Sequence, residues 1–258
     1  MSSSPNPDLA LAERAARAGG EVLMEYYGRP PSGVDSKSSA TDLVSDADRE
    51  AERAIRELLA SERPADGLVA EEGSRAEAES GRRWIVDPLD GTINFLYELP
   101  AWAVSVALED AAGLSVGVVH SPVLGETYCA VKGGGAWMAE SGRPLAASGC
   151  DRLERAMVAT GFSYEPARRA EQAAVVARLL PLARDIRRAG AAALDLAWTA
   201  AGRLDAFYEG GLNPWDWAAG DLLVEEAGGV TGWIDGEPPV LMAAATPALL
   251  EELRPLAG

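Results

Sequence analysis

The sequence predicts an α+β fold with helices layered against sheets. Three observations carry this expectation. Two early stretches space their apolar residues as helices do. A series of short apolar runs separated by turn signals follows. Later, strand-like and helix-like stretches alternate. The change of pattern divides the chain into an α+β half with an antiparallel sheet, residues 1–145, and an α/β half, residues 146–258. The two halves are expected to make one compact unit.

Taken in order, "DLALAERAARAGGEVLMEYY" sets Leu9, Ala12, Ala16, Leu23 and Tyr26 roughly on one helical face. "GRPPSGVDSKSSAT" reads as a surface loop. "SDADREAERAIRELLAS" opens on Ser45 with Asp48 three residues later, a capping-box pattern, and carries Ala51, Ala54, Ile55, Leu58 and Leu59 toward a core. "GLVAEEG", "RRWIVDPLDG", "AWAVSVALED" and "LSVGVVHSP" read as strands, and "ETYCAVKGGGAWM" as a hairpin. In the second half "RAMVATGFS", "DIRRAG", "DAFYEGG" and "PPVLMAAA" read as strands. "ARRAEQAAVVARLLPLA", "AALDLAWTAAGRL" and "WDWAAGDLLVEEAGG" read as helices. There is no repeat of fixed period.

Composition narrows the function. The chain has 258 residues, 40 acidic against 23 basic, and a formal net charge of -17. A field of that sign repels nucleic acid and anionic membrane, so neither is expected as a partner. No apolar run approaches the ~20 residues that span a bilayer, and "MSSSPNPDLA" lacks the features of a signal peptide. With Cys129 and Cys150 as the only cysteines there is no disulfide framework, and a cytoplasmic protein is expected. The single histidine, His120, lies in a strand-like run and reads as structural, which argues against Ser-His-Asp or Cys-His chemistry. Any phosphate bound by so acidic a chain needs a local positive field.

Three acidic sites each lie at the end of a strand-like run: Glu71-Glu72, then Asp87 and Asp90 in "WIVDPLDGTINF", then Asp216 in "LNPWDWAAGD". Singly, each has a structural explanation: a solvated turn, an Asp-Gly turn, and a helix cap. Together they suit Mg²⁺, which takes a few carboxylates with carbonyls, waters and substrate phosphate. Pro88 stiffens the link between Asp87 and Asp90 so that both point to one side, and the Leu89 carbonyl offers a further oxygen. Two divalent ions ~4 Å apart clamp both the attacking and the leaving oxygen of a phosphoryl transfer. Gly91 lets an anion approach a helix start, and the Thr92 hydroxyl orients a water.

These residues carry a resemblance. "WIVDPLDGTINF" and "NPWDWAAGDLLVEEAGG" are similar to the two signatures of the inositol monophosphatase family. "KSSATDLVSDAD" and "LVAEEG" resemble its upstream elements, in order, and the likeness runs from the first helix to "LMAAATPALLEEL". It implies a layered α-β-α-β-α sandwich, a homodimer, and a Mg²⁺-dependent, often lithium-sensitive phosphomonoesterase with about two to three ions per site. It implies Glu71, Asp87, the Leu89 carbonyl, Asp90 and Asp216 as metal ligands, with Asp87 bridging. Gly91 and Thr92 would receive the phosphate, and Asp48 with Thr92 would activate the attacking water beside Glu71. Ala192, Glu209 and Ser163 would touch a small phosphorylated polyol or sugar. The implied substrate is inositol 1-phosphate. Histidinol phosphate, fructose 1,6-bisphosphate or a 3′-phosphoadenosine nucleotide are alternatives, as is an idle regulatory protein on this scaffold. Asn213 departs from the family pattern, where a basic residue or histidine is frequent, which weakens the expected ring contacts on that edge.

Overall fold

The computed structural model describes residues 6–29, 33–36 and 43–257. Residues 37–42, which open the upstream element "KSSATDLVSDAD", and much of the expected surface loop lie outside the described residues.

Helix α1 (Pro7–Tyr26) begins where the Asn6 side chain accepts the Asp8 and Leu9 N–H groups at 3.0 and 3.1 Å. It buries Leu11, Ala12, Ala15, Ala16 and Leu23, while Leu9 and Tyr26 stay half-buried. A two-residue ribbon, β1 (Asp35–Ser36) with β2 (Leu43–Val44), leads to α2 (Asp46–Glu62). The expected capping box is present: Ser45 N–H donates to Asp48 Oδ2 at 2.9 Å.

Next come β3 (Gly67–Ala70), β4 (Arg75–Ala76), β5 (Arg83–Asp90), the short helix α3 (Thr92–Leu96), β6 (Ala103–Asp110), β7 (Gly113–Ser121), β8 (Glu126–Val131) and β9 (Gly135–Met138). The seven strands form one sheet in the order β4-β3-β5-β6-β7-β8-β9. It is antiparallel except for one pair: β3 and β5 run parallel.

The second half contributes β10 (Met157–Thr160), α4 (Pro166–Leu179), β11 (Asp185–Arg187), α5 (Ala192–Ala200), β12 (Ala206–Gly210), α6 (Pro214–Glu226), β13 (Val230–Ile234), β14 (Val240–Ala244) and α7 (Pro247–Ala257). Its five-stranded sheet has the order β11-β10-β12-β14-β13, with β10 parallel to both β11 and β12 and the β12-β14-β13 part antiparallel. Strand β13 was not expected. It pairs along all five residues with β14, and that pairing, rather than its own apolar pattern, makes it a strand.

The layers follow from three apolar clusters. One joins α1 and α2 to the seven-stranded sheet through Leu11, Ile55, Trp84, Val106 and Val118. A second fills the middle, where α5 and α6 lie between the sheets with Leu194, Leu196, Leu222 and Leu223 facing Ala107, Val119 and Phe207. A third sets Leu179 of α4 and Leu249 and Leu253 of α7 against Val158, Tyr208 and Met242. The result is an α-β-α-β-α sandwich. The middle layer is thin: a Cβ on Gly220 would meet Leu196 Cβ at 2.5 Å, so glycine lets α6 cross close to α5.

Candidate active site

In a regular strand, residues three apart face opposite sides of the sheet. Asp87 and Asp90 are three apart at the end of β5, yet both line one cavity. A bulge is responsible. Asp87 lies opposite Ser105 and Asp90 opposite Ala103, so three steps on β5 match two on β6. Pro88, which has no N–H to give a ladder, occupies the irregular step. The Asp87 carboxylate steadies the bulge by accepting the Leu89 N–H at 3.0 Å.

The parallel register of β3 and β5 brings in Glu71. Ala70 is level with Val86, and Glu71 N–H donates to Val86 O at 3.2 Å, which sets Glu71 next to Asp87. The turn carrying Glu71 is held from below by Glu52 of α2, whose carboxylate accepts the Glu72 and Ser74 N–H groups at 2.7 and 3.0 Å. Asp216 arrives from the other half, in the first turn of α6, where it accepts the Asn213 N–H at 2.6 Å. Ser105 Oγ donates to Trp215 O at 3.2 Å and ties that turn to β6 opposite Asp87. Asp90 spans the layers differently. Its two oxygens accept the Ala192 and Ala193 N–H groups, at 3.2 and 2.7 Å, at the start of α5.

The cavity so formed measures about 530 Å³ and is lined by Glu71, Asp87, Leu89, Asp90, Gly91, Thr92, Ser163, Ala192, Glu209 and Asp216 among others. Every predicted site residue except Asp48 therefore lies on its wall. Asp48 is fully buried behind Thr92. Its Oδ2 serves the helix cap, accepting Ser45 N–H at 2.9 Å and Ser45 O–H at 2.5 Å, and its Oδ1 accepts the Thr92 hydroxyl at 3.1 Å. The cap and the Thr92 contact coexist, and Asp48 acts through Thr92 rather than on the cavity directly.

The fold gives Gly91, which also lines the cavity, a packing reason to be glycine. Its φ of 93° is left-handed, and a Cβ there would meet Ala101 O at 2.9 Å and the Ala191 and Trp102 Cβ atoms at 3.2 Å. The missing side chain makes room for neighbouring chain. His120 is remote from this cavity. It is buried, its Nδ1 is 2.9 Å from Thr127 Oγ1, and burial pushes its pKa down to about 4.

The acids press on one another. Burial raises the Asp87 pKa well above the usual carboxylate range, and Glu71, Asp90 and Asp216 add to it. Burial raises Asp90 to about 7, with the α5 N–H groups pulling it down and Glu71 pushing it up. Asp216 rises through burial and Glu71, and Glu209 through burial and Asp216. Among the described residues no three acidic side chains already stand in a ligating arrangement. The donors are all oxygen, four carboxylates and the Leu89 carbonyl, a set that suits a hard divalent cation and leaves its repulsion to be relieved by one.

Two cationic residues on the wall escaped the sequence reading, Arg168 and Arg188. Glycine gave a usable signal in one case. A Cβ on Gly161 would overlap the Glu209 carboxylate, and one on Gly190 would overlap the Arg188 guanidinium, so each glycine underlies a charged group that faces the cavity.

The sequence profile described as "Inositol monophosphatase family" matches residues 5–253. The inositol-1-monophosphatase of Mycobacterium leprae is 43% identical over 232 residues, covering 85% of this chain and 79% of that protein. The Nus factor SuhB of Salmonella typhimurium is 38% identical over 233 residues, covering 90% of this chain and 86% of its own. The crystal structure of the extragenic suppressor protein suhB from Bartonella henselae superposes with a TM-score of 0.89 at 35% identity, covering 98% of each chain. This chain belongs to the inositol monophosphatase family.

Proposed function

We propose that this chain is a Mg²⁺-dependent phosphomonoesterase that hydrolyses inositol 1-phosphate to inositol and phosphate. The observation that carries the reading is the convergence of Glu71, Asp87, Leu89, Asp90 and Asp216 on one cavity beside the Thr92–Asp48 pair. Glu71, Asp87, the Leu89 carbonyl, Asp90 and Asp216 would hold the ions. When bound, the ions supply Lewis acidity and offset the charge of the phosphate and the leaving oxygen. The N–H groups at the Gly91–Thr92 helix start receive phosphate oxygens. Thr92 directs its hydroxyl proton to Asp48 and so presents a lone pair to the attacking water, which is aligned and made more nucleophilic as its proton moves toward that pair. Glu209, Ala192 and Ser163 form the rim that meets the polyol. No covalent phosphoenzyme is required.

The relatives named Nus factor favour a second reading, a regulatory role on the same scaffold. The two readings separate in one assay. Phosphate release from a panel of phosphomonoesters is measured with and without Mg²⁺. Mg²⁺-dependent turnover, with inositol 1-phosphate among the best substrates, is expected. Absence of turnover on every member would leave the regulatory reading standing. We infer also a homodimer. Tyr97 and Leu99, 73% and 51% exposed, lie with Ala173 and Val176 on an apolar groove beside the cavity, a face suited to a second copy. Among the described residues no helix is long and apolar enough to cross a membrane. We read the protein as cytoplasmic, with its net charge of -17 disfavouring nucleic acid.

A further inference from the structure

Glu52 is the second buried acid of α2, one turn after Asp48 and on the same side of the helix. Asp48 reaches Thr92, whereas Glu52 reaches the turn that joins β3 to β4 and carries Glu71. Glu52 lies behind the cavity wall rather than on it. Its two oxygens are spent on backbone, one accepting the Glu72 N–H at 2.7 Å and the other the Ser74 N–H at 3.0 Å.

The turn depends on that contact. Glu71 N–H donates to Val86 O at 3.2 Å and Gly73 N–H to Ala70 O at 3.4 Å, so the remaining two N–H groups of residues 71–74 both end on Glu52. The sequence Glu-Glu-Gly-Ser has no apolar side chain to anchor the turn in a core. The strand beyond adds little hold: β4 is two residues long, exposed at both, and lies at the edge of its sheet. Among the described residues Glu52 makes no ion pair, and a carboxylate buried among apolar neighbours such as Ala51 and Ile55 is costly to keep. Mg²⁺ asks for near-ideal octahedral geometry at about 2.1 Å, so a small displacement of the turn is enough to spoil a ligand at Glu71.

We propose that Glu52 is a positioning residue for the ion site. By fastening the turn it holds Glu71 toward the cavity, and it thereby sets the affinity for Mg²⁺ while touching neither ion nor substrate. This rests on the reading of Glu71 as an ion ligand.

Mg²⁺ binding to the full chain is measured by isothermal titration calorimetry, without substrate, for wild type, Glu52→Gln, Glu52→Asp, Glu71→Gln and the double variant with both Gln substitutions. Circular dichroism in EDTA checks that each is folded. Gln keeps the length of Glu52 but turns an NH₂ group toward one of the two N–H groups; Asp keeps the charge but falls one methylene short. Each is expected to raise the Kd for Mg²⁺ about tenfold, the scale on which residues behind a metal ligand act. Added to Glu71→Gln, Glu52→Gln is expected to cost less than about twofold more, because its partner in the effect is already gone. If one Glu52 variant does not fold, the other carries the test. An unchanged Kd, or the full tenfold loss repeated on the Glu71→Gln background, overturns the proposal while the ion site stands. Wild-type affinity in Glu52→Asp beside a loss in Glu52→Gln assigns the effect to charge and overturns it as well. A wild type that binds no Mg²⁺ removes the ion reading, and this inference with it.

Discussion

Replacing Asp90 by Asn removes one charge from the acidic corner and keeps its shape. The Asp90 carboxyl has its pKa raised from 3.8 to about 7 in the folded protein, mainly through burial. That difference corresponds to about 4 kcal/mol. A raised carboxylate favours folding below the unfolded pKa, where both states hold the proton. The advantage is lost as pH rises from about 4 to about 7, because the folded state must keep or surrender a proton that the unfolded chain has already released. By pH 8 the ion-free protein carries the full penalty, and at pH 5 about 2 kcal/mol of it. Asn has no such penalty at either pH. It pays instead in hydrogen bonds, because its NH₂ group faces one of the two α5 N–H groups that Asp90 now accepts at 3.2 and 2.7 Å. That mismatch costs about 2 kcal/mol. In EDTA, Asp90→Asn is therefore expected to match wild type at pH 5. At pH 8 it should be more stable by about 2 kcal/mol, or on the order of 5 °C in Tm. Urea denaturation at the two pH values measures this. Added Mg²⁺ should raise the wild-type Tm and barely move that of the variant. A variant no better placed against wild type at pH 8 than at pH 5 would refute the claim that charge crowding at this corner destabilises the ion-free fold.

Two further outcomes follow from the same geometry. Thr92→Val removes the hydroxyl that donates to Asp48 at 3.1 Å but keeps the volume; kcat should fall about 100-fold with little change in KM, whereas Thr92→Ser should retain most of the rate. A Thr92→Val enzyme of near-normal kcat would remove Thr92 from the chemistry. Tyr97→Asp with Leu99→Asp places charge on the exposed apolar groove; sedimentation equilibrium should show the wild type as a dimer and this variant as a monomer, and a monomeric wild type would dispose of the homodimer.

The elements that were legible in the sequence are those whose own residues decide them. The apolar spacing of α1 and the Ser45–Asp48 box of α2 are local signals, and both helices start within a residue of expectation. "WIVDPLD" is buried over its length, which a continuous apolar run announces. Strand β13 is half-buried with a glycine at its centre, and only its register with β14 reveals it. The acidic residues were recognisable as a set because Glu71, Asp87 and Asp90 close or follow a strand and Asp216 opens a helix. What joins them was hidden: the bulge between Asp87 and Asp90, the parallel pairing that sets Glu71 beside Asp87, and the Glu52 side chain beneath its turn. Arg188 stayed unseen for the same reason, since its aim depends on Gly190 two residues later.

The divided carboxylate of Asp48 has a consequence for how sharply Thr92 is aimed. A carboxylate is rigid, so fastening one oxygen fixes the direction of the other. Oδ2 is fastened by the cap of α2, and the rotamer freedom of Asp48 is therefore spent in starting a helix. Oδ1 meets the Thr92 hydroxyl with little torsional entropy left to lose. The seventeen residues of α2 thus act as the mount for a single acceptor oxygen, set 44 positions ahead of the group it orients.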